Sequence, residues 1–345
     1  MLTLLLALST SLLSVSASAA DPVLLNGAGA TFPYPLYSKW FSDYRKVDPS
    51  VEINYTSVGS GGGIRQLIDG TIDFGASDAP MTAEQTAKAQ EKQAAAMPIL
   101  HLPMVLGAVV LTYNLPEVKA QLKFSPEVLA DLFLGKIKKW GDERISALNP
   151  GVKFPKDLDI AIVHRSDASG TSAIFTDYLS KVSPEWKTKV GAGTALKWPA
   201  GLGGKGNEGV TGVIKNTPGT IGYVEFVYAE ANKLPVALLK NKAGVFTAPS
   251  VKAVTAAAAG ALKEMPEDFK LSLTDSAGKD AYPISGFTYL LVYNKMDAVK
   301  GKKLAAFLKW ALTEGQKQAE PLSYAPLPKS LAVKVEKKVL ELKTQ

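Results

Sequence analysis

LDIAIVHRSDASGTSAIFTDYLSK, residues 158–181, reads as three units in succession. Leu158 to Val163 is a short apolar run of strand length, and Thr171 to Lys181 has the spacing of an amphipathic helix. Between them, Arg165-Ser166-Asp167-Ala168-Ser169-Gly170-Thr171-Ser172 is a small-residue turn. The same alternation runs outward along the chain. Val51–Tyr55, Thr71–Gly75, Val105–Tyr113, Ile221–Tyr228 and Thr288–Tyr293 read as further strands, and Met97 to Pro116 as one longer buried stretch interrupted by His101, Pro103 and Asn114. Tyr34–Arg45, Gly62–Ile68, Thr82–Gln93, Pro126–Leu132, Val251–Leu262 and Lys302–Thr313 read as helices. In the last, Leu304, Phe307, Leu308, Ala311 and Leu312 share one face that must pack on a core. Strands alternating with helices imply crossover connections and an α/β fold with mainly parallel sheets flanked by helices.

A chain of 345 residues exceeds what one core accommodates, so two lobes are expected. Neither an internal repeat nor a low-complexity linker separates them, which predicts lobes joined by strands. The chain has 46% hydrophobic and 21% charged residues, a globular composition. With no Cys, disulfides, thiolate nucleophiles, iron–sulfur clusters and cysteine-ligated zinc are excluded. The two His, His101 and His164, read as a core or rim residue and a strand-end residue. Leu2 to Leu13 is leucine-rich and Ala17-Ser18-Ala19 follows, the pattern of a secretory signal peptide over residues 1–19, although no Lys or Arg precedes the apolar run. The run is too short to span a bilayer. Export of a cysteine-free chain fits a periplasm.

Small-residue clusters mark the chemistry. Gly27-Ala28-Gly29-Ala30-Thr31-Phe32, Gly59-Ser60-Gly61-Gly62-Gly63, Ser77-Asp78-Ala79-Pro80 and the Arg165–Ser172 turn each precede a helical pattern. Helix N-termini present unsatisfied N–H groups and a partial positive charge, so convergent clusters suit a small tetrahedral anion. Only four of the 39 basic residues are Arg, and Arg165 stands two positions from Asp167, which would hold its guanidinium for an oxyanion. Nucleotide motifs fail in detail: Phe32 and Ile64 occupy positions where a dinucleotide fingerprint needs Gly or Ala, and Gly204-Lys205-Gly206 lacks the Ser or Thr of a phosphate loop. Gly201 to Gly209 therefore reads as a loop. No G-x-S-x-G elbow, paired-carboxylate spacing or metal-ligand spacing is found, so no enzyme, cofactor or metal is expected.

With these segments the chain closely resembles the periplasmic phosphate-binding proteins of Pst-type ABC transporters. Asp73-Phe74-Gly75-Ala76-Ser77-Asp78-Ala79-Pro80, Leu134-Gly135-Lys136-Ile137-Lys138-Lys139-Trp140, Lys197-Trp198-Pro199 through Gly206-Asn207, and Ile221-Gly222-Tyr223-Val224-Glu225 extend the likeness over nearly all of the chain after the signal segment. The resemblance implies a two-lobed type II periplasmic binding protein, with lobe I formed by residues 20–105 plus 280–345, lobe II by 106–279, and the ligand between them. It implies phosphate contacts from Thr31, Phe32, Ser60, Asp78, Arg165, Ser169, Gly170 and Thr171, with Asp167 orienting Arg165. It further implies inorganic phosphate as ligand, hinge closure on it, and delivery by a monomer to permease subunits in the inner membrane. Two departures stand out: Ala168 where Gly is usual, and His164 where a second Arg can stand.

Physical chemistry explains an acid at such a site. Phosphate keeps a proton at neutral pH and sulfate none, so Asp78 can accept from the first and repels the second. Arsenate, also protonated, is not excluded by this device. The net charge of +7 raises nucleic-acid binding or surface adhesion as another class, but scattered Lys with no basic run or aromatic platform argues against a nucleic-acid reader. Weak phosphatase activity is the enzymatic alternative, and no nucleophile, base or metal set supports it.

Overall fold

The computed structural model describes residues 21–92 and 98–344. The expected signal segment, Gln93 of the third expected helix and Met97 lie outside the described residues. One eight-stranded sheet organises the molecule: β1 (Val23–Gly29), β2 (Val51–Ser57), β3 (Phe74–Ser77), β4 (Ile99–Tyr113), β5 (Ala161–Arg165), β6 (Leu202–Gly204), β7 (Thr220–Glu225) and β8 (Ser285–Tyr293), in the order β2-β1-β3-β8-β4-β7-β5-β6. Its flanks are parallel, as the alternation predicts, and its centre is antiparallel where β8 pairs with β3 and β4, and β4 with β7.

β4 ties the flanks together. Ile99 to Ala108 pairs with β8, while Val109 to Tyr113 pairs with β7. Its buried, apolar length explains why it reads as a near-continuous hydrophobic run. Pro103 is accommodated within it because the register to β8 shifts between Thr288 and Tyr289, where the ladder is irregular. His101 is buried, and its Nε2 accepts a hydrogen bond from Met81 N at 3.1 Å.

The helices that matter for the site are α1 (Tyr34–Val47), α2 (Ser60–Ile68), α3 (Ala83–Lys92), α4 (Pro126–Phe133), α5 (Gly170–Val182), α6 (Gly206–Asn216), α7 (Val251–Ala261) and α8 (Ala298–Thr313). α1 carries Pro near its start, buries Leu36, Tyr37, Trp40 and Tyr44, and ends in Arg45 and Lys46, which favour the negative end of its dipole. Asp297 caps α8 by accepting from Val299 N and Lys300 N, and the face of Leu304, Phe307, Leu308, Ala311 and Leu312 is buried as its spacing requires. α2 starts two residues before the expected Gly62, because Ser60 and the glycines form its first turn rather than a lead-in.

Several segments depart from the sequence reading. Gly201 to Gly209 is not a loop: it contains β6 and the first turn of α6. Its glycines serve close packing, since a Cβ on Gly204 would lie 2.6 Å from Val210 N, and Gly206 turns the chain at φ +71°. β3 begins at Phe74 rather than Thr71, because Thr71 N and Oγ1 still close the end of α2 on Gln66 O. β5 is shifted along the chain, starting three residues later than expected at Ala161 and running two further to Arg165. β7 stops at Glu225, whose carboxylate accepts from Val227 N and opens a short helix, Phe226–Ala231. β1 has no strand signal in the sequence, because Asn26 and its glycines mask the apolar pattern.

α2 lies so close to β1 that a Cβ on Gly63 would meet Ala28 O and Gly29 Cα, each at 2.5 Å. Gly63→Ala gains helix propensity of up to about 1 kcal/mol, yet it must push backbone against backbone at a cost of roughly 1–3 kcal/mol. A lower urea midpoint with an unchanged m-value is the expected outcome; a stabilised protein would show that α2 rides further from β1 than this.

Candidate anion-binding site

Four turns converge at the ends of β1, β3 and β5 and at the start of α2. Thr31 and Phe32 lie between β1 and α1. Their peptide planes are held by tyrosines: Tyr55 OH donates to Ala30 O at 2.7 Å and Tyr228 OH to Thr31 O at 2.6 Å, the latter hydroxyl also lying 3.0 Å from Glu208 Oε1. In a trans peptide the N–H points opposite to the C=O, so these bonds aim the Thr31 and Phe32 N–H groups away from the tyrosines. Tyr324 OH holds Phe32 O at 2.6 Å.

Ser60, at the start of α2, is fully buried, and its Oγ accepts from Asp78 N at 3.2 Å and from Gly170 N at 3.0 Å. A hydroxyl has two lone pairs and one proton, so Ser60 has only its proton left to offer. Asp78 follows β3. The helix expected to follow its cluster is α3, which begins at Ala83 behind a capping box of Thr82 and Gln85, so Asp78 stands ahead of the helix start and the turn presents an acid.

From the other flank, Arg165 ends β5 with its side chain 1% exposed. Its Nε and Nη2 bind Asp167 Oδ1 and Oδ2 at 2.7 and 2.5 Å, and Nη1 donates to Thr171 Oγ1 at 3.2 Å. Behind it, Tyr223 OH accepts from Arg165 N at 3.2 Å and lies 2.6 Å from Ser172 Oγ. An aromatic layer of Phe175, Tyr223, Trp198 and His164 continues from there, with His164 stacked on Trp198 at 4.9 Å. Ser169 caps α5 through Ser172 N, while its own N–H is taken by Thr194 O at 2.8 Å, so among its donors the hydroxyl proton remains to face a ligand.

The structure therefore brings together all eight expected contact residues and Asp167. The two sides touch directly: Gly61 N donates to Ala168 O at 2.9 Å, and a Cβ on Gly61 would lie 2.4 Å from Ala168 Cβ. The methyl that Ala168 carries fits because Gly61 has none. Residues the sequence reading did not single out complete the wall. Asn207, in the first turn of α6, donates to Thr31 Oγ1 and Thr171 Oγ1, and Thr288 Oγ1 donates to Asp78 Oδ1 at 2.9 Å. Only a helix at Gly206 would have revealed Asn207, and the loop reading of that segment hid it.

Burial pushes the Asp78 carboxyl up from 3.8 to about 7, against the pull of the Thr288 hydrogen bond and the Arg165 charge, with Asp167 adding to the rise. Burial also raises Asp167, but bonds from Arg165 and Gly206 N, with the Arg165 charge, leave it below its ordinary value. The site thus holds one fixed positive charge, one carboxylate committed to it, and one carboxyl poised to carry a proton near neutrality. Among the described residues no group of His, Cys, Asp or Glu is placed to hold a metal ion.

A family model described as a PBP superfamily domain matches residues 16–314. The phosphate-binding protein PstS of Pasteurella multocida is 46% identical over 327 residues, covering 94% of this chain and 92% of the relative. PstS of Methanocaldococcus jannaschii is 44% identical, covering 90% and 84%. A phosphate-bound structure of the high affinity periplasmic phosphate-binding protein PfluDING superposes with a TM-score of 0.71 at 20% identity, covering 94% of this chain and 99% of that one, a likeness of fold.

Asp78 sets a pH dependence for the phosphate-free protein. The unfolded chain releases this proton near 3.8 and the folded one near 7, so the favourable contribution is complete below 3.8 and lost as pH rises to about 7. Asp78→Asn removes the buried charge and keeps an acceptor for Thr288. It is expected to raise Tm by about 5 °C at pH 8, with the gap closing toward pH 4. A gap that does not change with pH in scanning calorimetry would show that Asp78 titrates normally.

Proposed function

The chain belongs to the PBP superfamily, among the PstS phosphate-binding proteins, and from that premise we propose how its site recognises and retains inorganic phosphate. It binds phosphate as the substrate-binding protein of a Pst transporter and is not an enzyme. The observation that carries the chemistry is the buried Asp78 carboxyl, with its proton affinity near neutrality, facing a set of N–H and O–H donors organised around Arg165.

Thr31, Phe32, Ser60, Arg165, Ser169, Gly170 and Thr171 supply the donors. Gly170 has a single N–H proton, given to Ser60 Oγ in the structure, so it reaches the anion by sharing or exchanging that bond; it sits at the first turn of α5, where the helix dipole favours an anion. Phosphate and Asp78 share one proton between them, so the anion's remaining O–H finds an acceptor in a site otherwise built of donors. Sulfate brings no proton and would meet Asp78 as a like charge unless the site took one up from water. Sites that hydrogen-bond a specific group reject analogues lacking it by about 10⁴-fold to 10⁵-fold. Asp78 gives no such preference over arsenate.

Residues 20–105 with 280–345 form one lobe in this reading and 106–279 the other. The switch of β4 from β8 to β7 between Ala108 and Val109 supports a hinge there, and the Ser60–Gly170, Gly61–Ala168 and Thr31–Asn207 contacts are what closure brings together. After closure the protein, acting as a periplasmic monomer, docks on permease subunits in the inner membrane and releases its ligand there. No helix among the described residues is long and apolar enough to cross a membrane.

Competitive calorimetry with phosphate, arsenate and sulfate tests the chemistry. Phosphate and arsenate should bind comparably and sulfate far more weakly, and Asp78→Asn should narrow the phosphate-to-sulfate ratio by at least about tenfold. Equal native affinities for phosphate and sulfate would sink the role of Asp78. Gly170→Ala tests closure, because its Cβ would lie 2.3 Å from Ser60 Oγ and 2.6 Å from Asp78 Oδ2. An opened cleft relieves that clash, so phosphate affinity should fall by about a hundredfold while Tm without ligand changes little; unchanged small-angle scattering on adding phosphate to the native protein would contradict hinge motion.

A further inference from the structure

Asn207 is buried with no side-chain exposure, at the first turn of α6, and each polar atom of its amide has a partner. Oδ1 accepts from Glu225 N at 2.9 Å; a backbone N–H only donates, so this bond fixes which end of the amide is oxygen. Nδ2 then faces the cleft, with 2.8 Å to Thr31 Oγ1 and 3.3 Å to Thr171 Oγ1. Asn207 N adds a further bond to Thr31 Oγ1 at 3.2 Å, and Arg165 Nη1 one to Thr171 Oγ1 at 3.2 Å.

A hydroxyl oxygen has two lone pairs and one proton. On Thr31 both lone pairs are filled by Asn207, and on Thr171 one is filled by Asn207 and the other by Arg165. We propose that Asn207 is a positioning residue of the phosphate site: its amide occupies the acceptor side of both threonine hydroxyls, from opposite sides of the cleft, so that each presents its proton to the anion. Without it, either hydroxyl can turn its proton away and offer the ligand a lone pair, which repels an anion. The inference rests on the phosphate reading of the site and adds to it the element that polarises two of its donors.

Coupling between substitutions tests it, with phosphate affinity measured by calorimetry and fold checked by circular dichroism and Tm. Asn207→Leu should weaken binding by about tenfold or more in the native background. In a Thr31→Val background the same change should cost clearly less, keeping only the share that acts through Thr171, whereas in a Ser60→Ala background it should cost its full amount. A merely structural role would make the two backgrounds equal, and equal losses overturn the proposal. Asn207→Asp guards against misfolding, for it keeps the acceptor for Glu225 N while replacing the N–H donors by an oxygen that draws the hydroxyl protons. Its loss should shrink in the Thr31→Val background by the hydroxyl's share, leaving the part due to added charge; an undiminished loss also overturns the proposal. Failure of the native protein to bind phosphate would remove the phosphate reading and this inference together, whereas native binding with additive losses removes the inference alone.

Discussion

The Ser60 hydroxyl oxygen receives an N–H from Asp78 on one side of the cleft and an N–H from Gly170 on the other, and much of the surrounding architecture follows from that double acceptance. To let both N–H groups reach one atom, α2 must start at Ser60 with its glycines inside the first turn. The α5 turn must carry Gly at 170, where any Cβ would strike Ser60 and Asp78. In the proposed site the donors are largely buried, and such donors act best when arranged in advance. The tyrosines on the Ala30 and Thr31 carbonyls and the Asp167 fork on Arg165 serve that arrangement.

Charge is used sparingly. The +7 of the sequence is spread over surface lysines, many of them in exposed pairs of little energetic consequence, such as Lys39 with Asp43 and Lys88 with Glu84. In the site proposed above a single guanidinium is half committed to Asp167, and the remaining donors are hydroxyls and amides. A site with more lysines would hold every oxyanion more strongly and distinguish among them less, since cations do not read protons. In the proposed reading the buried Asp78 carboxyl, its proton affinity raised by burial, is the group that reads them.

Much of this was legible in the residues. Alternating apolar and amphipathic stretches point to the α/β architecture, and the small-residue turns mark the segments that the fold brings together, because glycine density and cap residues have local causes. The element edges were less legible where tertiary contacts decide them. β3 starts late because Thr71 is still bonded to α2, and β7 ends early because Glu225 turns its side chain back to cap a helix. Gly201 to Gly209 misled for the same reason: its glycines look like loop residues, but they exist for close packing between β6 and α6. With that helix unseen, Asn207 had no reason to stand out. Thr288 reads as a strand residue, but no pattern in the sequence connects it with Asp78, 210 residues away.

The tyrosine on the Thr31 carbonyl has a kinetic meaning. Tyr55 approaches Ala30 from the same flank of the sheet, whereas Tyr228 reaches Thr31 from beyond β7, on the far side of β4. In the hinge motion proposed above, the peptide bearing the Phe32 N–H is fully aligned only after the lobes meet. An arriving anion first meets the donors of one lobe and is gripped by the complete set at the end of the closing movement. Departure reverses the order: the Tyr228 and Asn207 bonds to Thr31 must break before the ligand is exposed. Residence time is then governed by how often the lobes part, and a membrane partner that favours the parted form can shorten it without touching the anion.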